Sequence, residues 1–184
     1  MDYMKWRIKP MKTEAIEVLM NRRSVRKFKA EQITDEELKI VLDAGTYAPT
    51  AMGQQRPVIV AVQEKAQRDA VCRLNASFTG NPDADTYYGA PTIIIVLAPD
   101  DEFGPLDAAA VETNMLNAAY ACGLGSCWIH RPQKMFDTDE GKSMLRAWGL
   151  DESLRGVCSI ALGYADCEQP APKVRKADYY KIIK

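Results

Sequence analysis

The stretch Arg22-Arg23-Ser24-Val25-Arg26-Lys27-Phe28 places four cations and a hydroxyl within seven residues. Guanidinium groups are planar, permanently charged forks that match phosphate oxygens two at a time, and a serine hydroxyl adds one more hydrogen bond to the same group. The stretch reads as an anion clamp whose natural guest is a phosphate. Basic runs are also ordinary solvated faces, so the neighbouring segments must decide.

Two such segments follow. Ala48-Pro49-Thr50-Ala51-Met52-Gly53-Gln54-Gln55-Arg56-Pro57 is rich in turn formers and small residues, with two amides and an arginine. It can bring main-chain donors and acceptors close to a flat ligand, and Gln55 offers both on one side chain; an ordinary helix-to-strand loop has the same composition. Gly123-Leu124-Gly125-Ser126-Cys127-Trp128-Ile129 reads as a helix end and a turn where the backbone can again approach a ring. Cys127 invites a nucleophile reading, but the one histidine, His130, stands three residues away with no orienting carboxylate in view. The five cysteines form no C-x-x-C pair, so no metal site is expected.

The elements that must position these segments are legible. Thr13 caps a helix that delivers the chain into the clamp, with Ala15, Ile16, Leu19 and Met20 at helical spacing. Thr34-x-x-Glu37 is a capping box opening a second helix that stops before Pro49. Val58–Val62, Thr92–Leu97 and Val157–Leu162 are continuous apolar runs that predict strands, the first two buried on both faces at the centre of a sheet. Lys65–Leu74 predicts a surface helix. Asp107–Cys122, apolar on most sides, predicts a central buried helix in which Asn114 and Asn117 satisfy local bonds. Asp137-x-x-Glu140 caps a further helix to Trp148, and 76–88 reads as a flexible excursion that could overhang a pocket.

A chain of 184 residues fits one domain, 1–184. A net charge of -1 and the lack of a basic stripe argue against nucleic acid. No apolar run is long enough to span a bilayer and the N-terminus lacks a signal-peptide core, so a cytoplasmic protein without a membrane is expected. The last segment, 170–184, ends in Tyr179, Tyr180, Ile182 and Ile183, an apolar end that predicts packing against a second subunit.

Together the clamp, the Ala48–Gln55 loop, the Gly123–Ile129 turn and the late Lys173-x-Arg175 resemble the FMN-dependent nitroreductase family over nearly the whole chain. The resemblance implies an α+β fold, a mixed central β-sheet flanked by helices, in an intertwined homodimer with FMN at the interface. It implies that Arg22, Arg23, Ser24 and Arg26 hold the FMN phosphate and ribityl chain, and that Lys173 and Arg175 close over the phosphate. Pro49, Thr50, Ala51, Met52, Gly53 and Gln55 would reach the flavin from the neighbouring subunit, and Gly125, Ser126, Cys127 and Trp128 would line its ring. Gly53 stands where many members have asparagine, and Arg56-Pro57 replaces proline-tryptophan, which predicts a more cationic substrate mouth.

The implied activity is an FMN-dependent oxidoreductase that passes hydride from NAD(P)H to a nitroaromatic, a quinone or a similar small acceptor by a ping-pong mechanism. No side chain is assigned a catalytic role, because the cofactor carries the chemistry. Two alternatives keep their place: a specialised reaction on the same fold, such as reductive dehalogenation, flavin-consuming or dehydrogenase chemistry, and a non-enzymatic flavin- or polyanion-binding module.

Overall fold

Four antiparallel strands carry the architecture, in the order β1-β2-β4-β3: β1 is Val58–Val62, β2 Thr92–Ala98, β3 Gly125–Ile129 and β4 Arg155–Gly163. The computed structural model describes residues 13–184. Six α-helices among the described residues surround the sheet: α1 (Glu14–Asn21), α2 (Asp35–Thr46), α3 (Lys65–Ala76), α4 (Gly104–Ala121), α5 (Pro132–Phe136) and α6 (Asp139–Ala147). The expected mixed sheet is thus antiparallel at every strand pairing, and the sole parallel pairing among the described residues is the isolated bridge of Ser24 to Ser126.

Strand β2 is buried at all seven positions, so its alternation supplies two cores at once. Ile93, Ile95 and Leu97 enter one apolar layer with Tyr87, Cys127, Phe136 and Leu145, while Ile94, Val96 and Ala98 enter the other with Met115, Cys158 and Ile160. Helix α4 lies under that second layer and buries Ala108, Val111, Glu112, Met115, Leu116 and Ala119. The Asn114 amide makes no local bond but crosses to helix α2, donating to the main-chain oxygen of Ala44 at 3.2 Å.

Two expectations are corrected. Strand β1 is an edge strand, half-buried over Val58–Ala61, so β2 and β4 form the centre; an uninterrupted apolar run reports hydrophobicity, not rank in the sheet. The Gly123–Ile129 segment turns only as far as Leu124. From Gly125 it is strand β3, which pairs with β4 from Gly125↔Gly163 to Ile129↔Ser159. Two apolar side chains beside small residues gave too short a pattern to read as a strand.

The capping box of α2 is present. Thr34 Oγ1 accepts from the Glu37 amide at 3.2 Å, and Glu37 Oε2 accepts from the Thr34 amide at 2.9 Å. The Tyr164 hydroxyl donates to that same Glu37 oxygen at 2.7 Å and is the main reason its carboxyl lies below the usual range. The excursion 76–88 is folded down rather than raised: Tyr87 is buried, its hydroxyl bonded to Ser159 Oγ at 3.0 Å, and Cys72 of α3 faces Ala84, Asp85 and Thr86. The tail from Asp166 to Lys184 is exposed throughout in the protomer.

Candidate cofactor site

Helix α1 is capped by Thr13 and releases the chain at Arg22 into an extended segment. That segment is tied to the sheet by Val25 N–H donating to Ser126 O, Lys29 N–H to Tyr164 O and Asp166 N–H to Lys27 O, each at 2.9 Å. Gly125 makes the approach possible. A Cβ there would lie 2.9 Å from Val25 Cγ1, so a larger residue would push the clamp off the sheet. Val25 fills the side on which a Cβ of residue 125 would lie, while Gly125 itself lines the cleft of about 420 Å³ beside the clamp.

Arg22, Ser24 and Arg26 stand close enough to the Cys127 thiol to act on it, and Arg23 and Val25 line a cleft of about 420 Å³ with Val18, Tyr120 and Leu124, Val25 also packing in the core layer of Cys127. Lys27 is paired with Asp166 at 2.7 Å, and Arg23 donates through Nη1 to the oxygens of Met20 and Arg22 at 2.8 Å. The guanidinium groups of Arg22 and Arg26 have no hydrogen-bond or ion-pair partner among the described residues. Arg23 Nε and Ser126 Oγ are buried without one.

Strand geometry also separates the predicted ring-lining residues. Cys127 packs in the layer of Tyr87 and Phe136, while Ser126 and Trp128 pair with Leu162 and Ile160 and point to the opposite side. Burial pushes the Cys127 thiol up, against the opposing pull of Arg26, Ser24 and Arg22. A thiol held protonated is a poor nucleophile.

The Pro49–Gln55 loop sits elsewhere, on the N-terminal end of α4. The Ala51 amide donates to Asp107 Oδ1 at 2.9 Å, and Thr50 Oγ1 accepts from the Gln55 amide at 3.0 Å. Met52 and Gln55 are left-handed, at φ 53° and 52°, a conformation costing about 1 kcal/mol or more for a residue with a Cβ. Arg56 forms a two-pronged ion pair with Asp101, whose Oδ1 also accepts from the amides of Phe103 and Gly104 at 3.0 and 2.8 Å. Arg56 is thus neutralised, which removes the expected cationic mouth. It holds the Asp101 carboxyl below its usual range.

The clamp abuts the C-terminal end of α4, at Tyr120 and Ala121. From Asp107 to Tyr120 the helix climbs about 20 Å at ~1.5 Å per residue. Loop and clamp of one protomer therefore line no common cleft among the described residues. Lys173 and Arg175 lie in the exposed tail, without a hydrogen bond or ion pair among the described residues and apart from the cleft that Arg23 lines.

Sequence reasoning missed Asp101 and Asp107, whose placement at a helix start reads equally as plain dipole complementation. It also missed the turn after β3. There Arg131 stands at φ 92° and donates to Asn75 Oδ1 at 3.2 Å, while the buried Asn75 amide donates to His130 O at 2.9 Å. Among the described residues no group of three or more His, Cys, Asp or Glu could hold a metal, and no helix is long and apolar enough to cross a membrane.

An α+β protein with unpaired guanidinium groups beside the edge of an antiparallel sheet is the class that fold and site define. The chain belongs to the Nitroreductase family, whose pattern matches residues 19–164. It is 26% identical over 167 residues to a protein of Archaeoglobus fulgidus bearing the name NADH dehydrogenase/NAD(P)H nitroreductase, covering 85% of this chain and 88% of that one. It is 28% identical over 180 residues to the NADPH-flavin oxidoreductase of Vibrio harveyi, covering 87% and 69%. Among solved structures it resembles a nitroreductase of Bacteroides fragilis with bound FMN, with a TM-score of 0.85, 28% identity and coverage of 94% of this chain and all of that one.

Proposed function

We propose that this chain is an FMN-dependent oxidoreductase that takes hydride from NAD(P)H and delivers it to a small acceptor such as a nitroaromatic or a quinone. The observation that carries the reading is the pair Arg22 and Arg26, whose guanidinium groups have no acidic partner among the described residues while Lys27 beside them has Asp166. Two guanidinium groups with no acidic partner among the described residues, together with the Ser24 hydroxyl, form a donor set suited to a phosphate, and the orphaned Arg23 Nε is a further donor on the same segment. The donor set fits FMN.

When bound, FMN supplies the two-electron carrier between the nicotinamide and the acceptor. The protein's part is to bind, orient and bias. Arg22 and Arg26 neutralise the phosphate, and the Ser24 hydroxyl donates to it. A guanidinium near the ring favours its anionic reduced form and raises the potential. Cys127 stays protonated and serves as wall, not nucleophile. With no side chain committed to proton transfer, donor and acceptor can use one face in turn, as a ping-pong cycle requires.

The reading includes a homodimer, because loop and clamp lie at opposite ends of α4 and a second copy can bring its own loop to the clamp. Lys173, Arg175 and the apolar tail at 170–184 are proposed to belong to that shared interface; Tyr179, Tyr180 and Ile183 are about four-fifths exposed in the protomer. The test is an absorbance spectrum of the purified protein followed by anaerobic addition of NADH or NADPH. A yellow protein that bleaches supports the reading. A colourless protein that takes up no added FMN returns the clamp to an ordinary basic patch.

A further inference from the structure

The loop offers the side chains of Met52, Gln54 and Gln55 outward; none has a hydrogen bond or ion pair among the described residues, and Met52 is 78% exposed. Behind the loop lies a small crevice of about 100 Å³ between Gly45, Ile59 and Val111, so apolar packing alone does not fix its shape. Two carboxylates fix it instead. Asp107, 6% exposed, accepts from the Ala51 amide through Oδ1, while its Oδ2 is buried without a partner. Asp101 grips Arg56 at the loop's other end and the first amides of α4 with the same carboxylate.

A buried oxygen left unsatisfied and two left-handed side-chain-bearing residues are costs that the fold does not need for connecting α2 to β1. We infer that Asp107 and the Arg56–Asp101 pair are positioning residues, which hold the loop preformed on the end of α4 so that it completes the cofactor site of a second copy. This rests on the FMN reading above and adds residues outside the motifs that carry it. The gain is entropic: a loop already bent loses little freedom when the cofactor arrives, so affinity is not spent on ordering it.

The test compares FMN affinity, read by flavin fluorescence, for wild type, Asp107→Ala, Asp107→Asn and Arg56→Gln, with amide exchange of residues 50–55 followed in each. Asp107→Ala is expected to weaken FMN binding about tenfold and to speed exchange of the Ala51 and Gln55 amides. Asp107→Asn keeps an acceptor for the Ala51 amide and is expected to restore both to within about twofold. Arg56→Gln removes a half-exposed ion pair, leaves the core untouched and is expected to weaken binding about threefold, which keeps the test open should Asp107→Ala not fold. Unchanged affinity in Arg56→Gln and Asp107→Ala, or Asp107→Asn as weak as alanine, overturns the inference while FMN binding stands. A wild type that binds no FMN overturns the parent reading and this one together, and is told apart because it shows in the control.

Discussion

Glu112 sits in the middle of α4 at zero exposure, with both carboxyl oxygens unbonded and the Cys158 thiol among its neighbours. Burial pushes its carboxyl from an ordinary 4.5 up to about 9, against a smaller opposing pull from Cys158. The folded chain therefore keeps a proton that the unfolded chain releases. The resulting stability is complete below pH 4.5 and drains away as pH rises towards 9, at about 1.36 kcal/mol per pH unit. Between pH 5.5 and 8 this one group removes about 3 kcal/mol. For a slope of about 2 kcal/mol per molar urea, that lowers the unfolding midpoint by about 1.5 M. Glu112→Gln keeps the shape and has no proton to lose. Urea titrations of both proteins at pH 5.5, 7 and 8 should show curves that separate with pH, the variant becoming the more stable above neutrality. Every other titrating group is common to both, so the difference isolates Glu112. Parallel curves over that range would refute the reasoning and would mean that water or a partner reaches the carboxylate.

Two further outcomes bear on the site. Arg26→Gln removes one of the two unpaired guanidinium groups, and the loss of a charge-assisted bond of about 1.5 kcal/mol at an exposed position predicts FMN binding weakened about tenfold with a lowered flavin potential; unchanged titration and potential would reject its role. Truncation after Lys176 removes Tyr179, Tyr180, Ile182 and Ile183, and sizing with light scattering should show a monomer with little bound flavin, whereas a fully flavinated dimer would show that the tail is dispensable.

Much of this was legible in the residues because the signals were local. The Thr34 and Glu37 capping box, the apolar core strand at Thr92–Ala98 and the all-round apolar face of α4 each follow from a pattern confined to a dozen residues or so. What failed was relational. Val58–Val62 carries the same apolar run whether central or at an edge, and only its lack of a partner beyond β2 decides. The guanidinium groups of Arg22, Arg23 and Arg26 look equivalent in the sequence, yet only that of Arg23 is tied to the main chain, at the oxygens of Met20 and Arg22. Asp101 and Asp107 matter because of what they hold across 45 and 56 residues, and no spacing rule reaches that far.

The length of α4 has a consequence in heredity. If clamp and loop work only across two copies, a chain with a broken clamp and a chain with a broken loop are each inactive when they pair with themselves. In a mixed pair, one of the two composite sites receives both faults and the other receives none, so two defective alleles whose chains pair freely in one cell restore about a quarter of the sites of the sound protein.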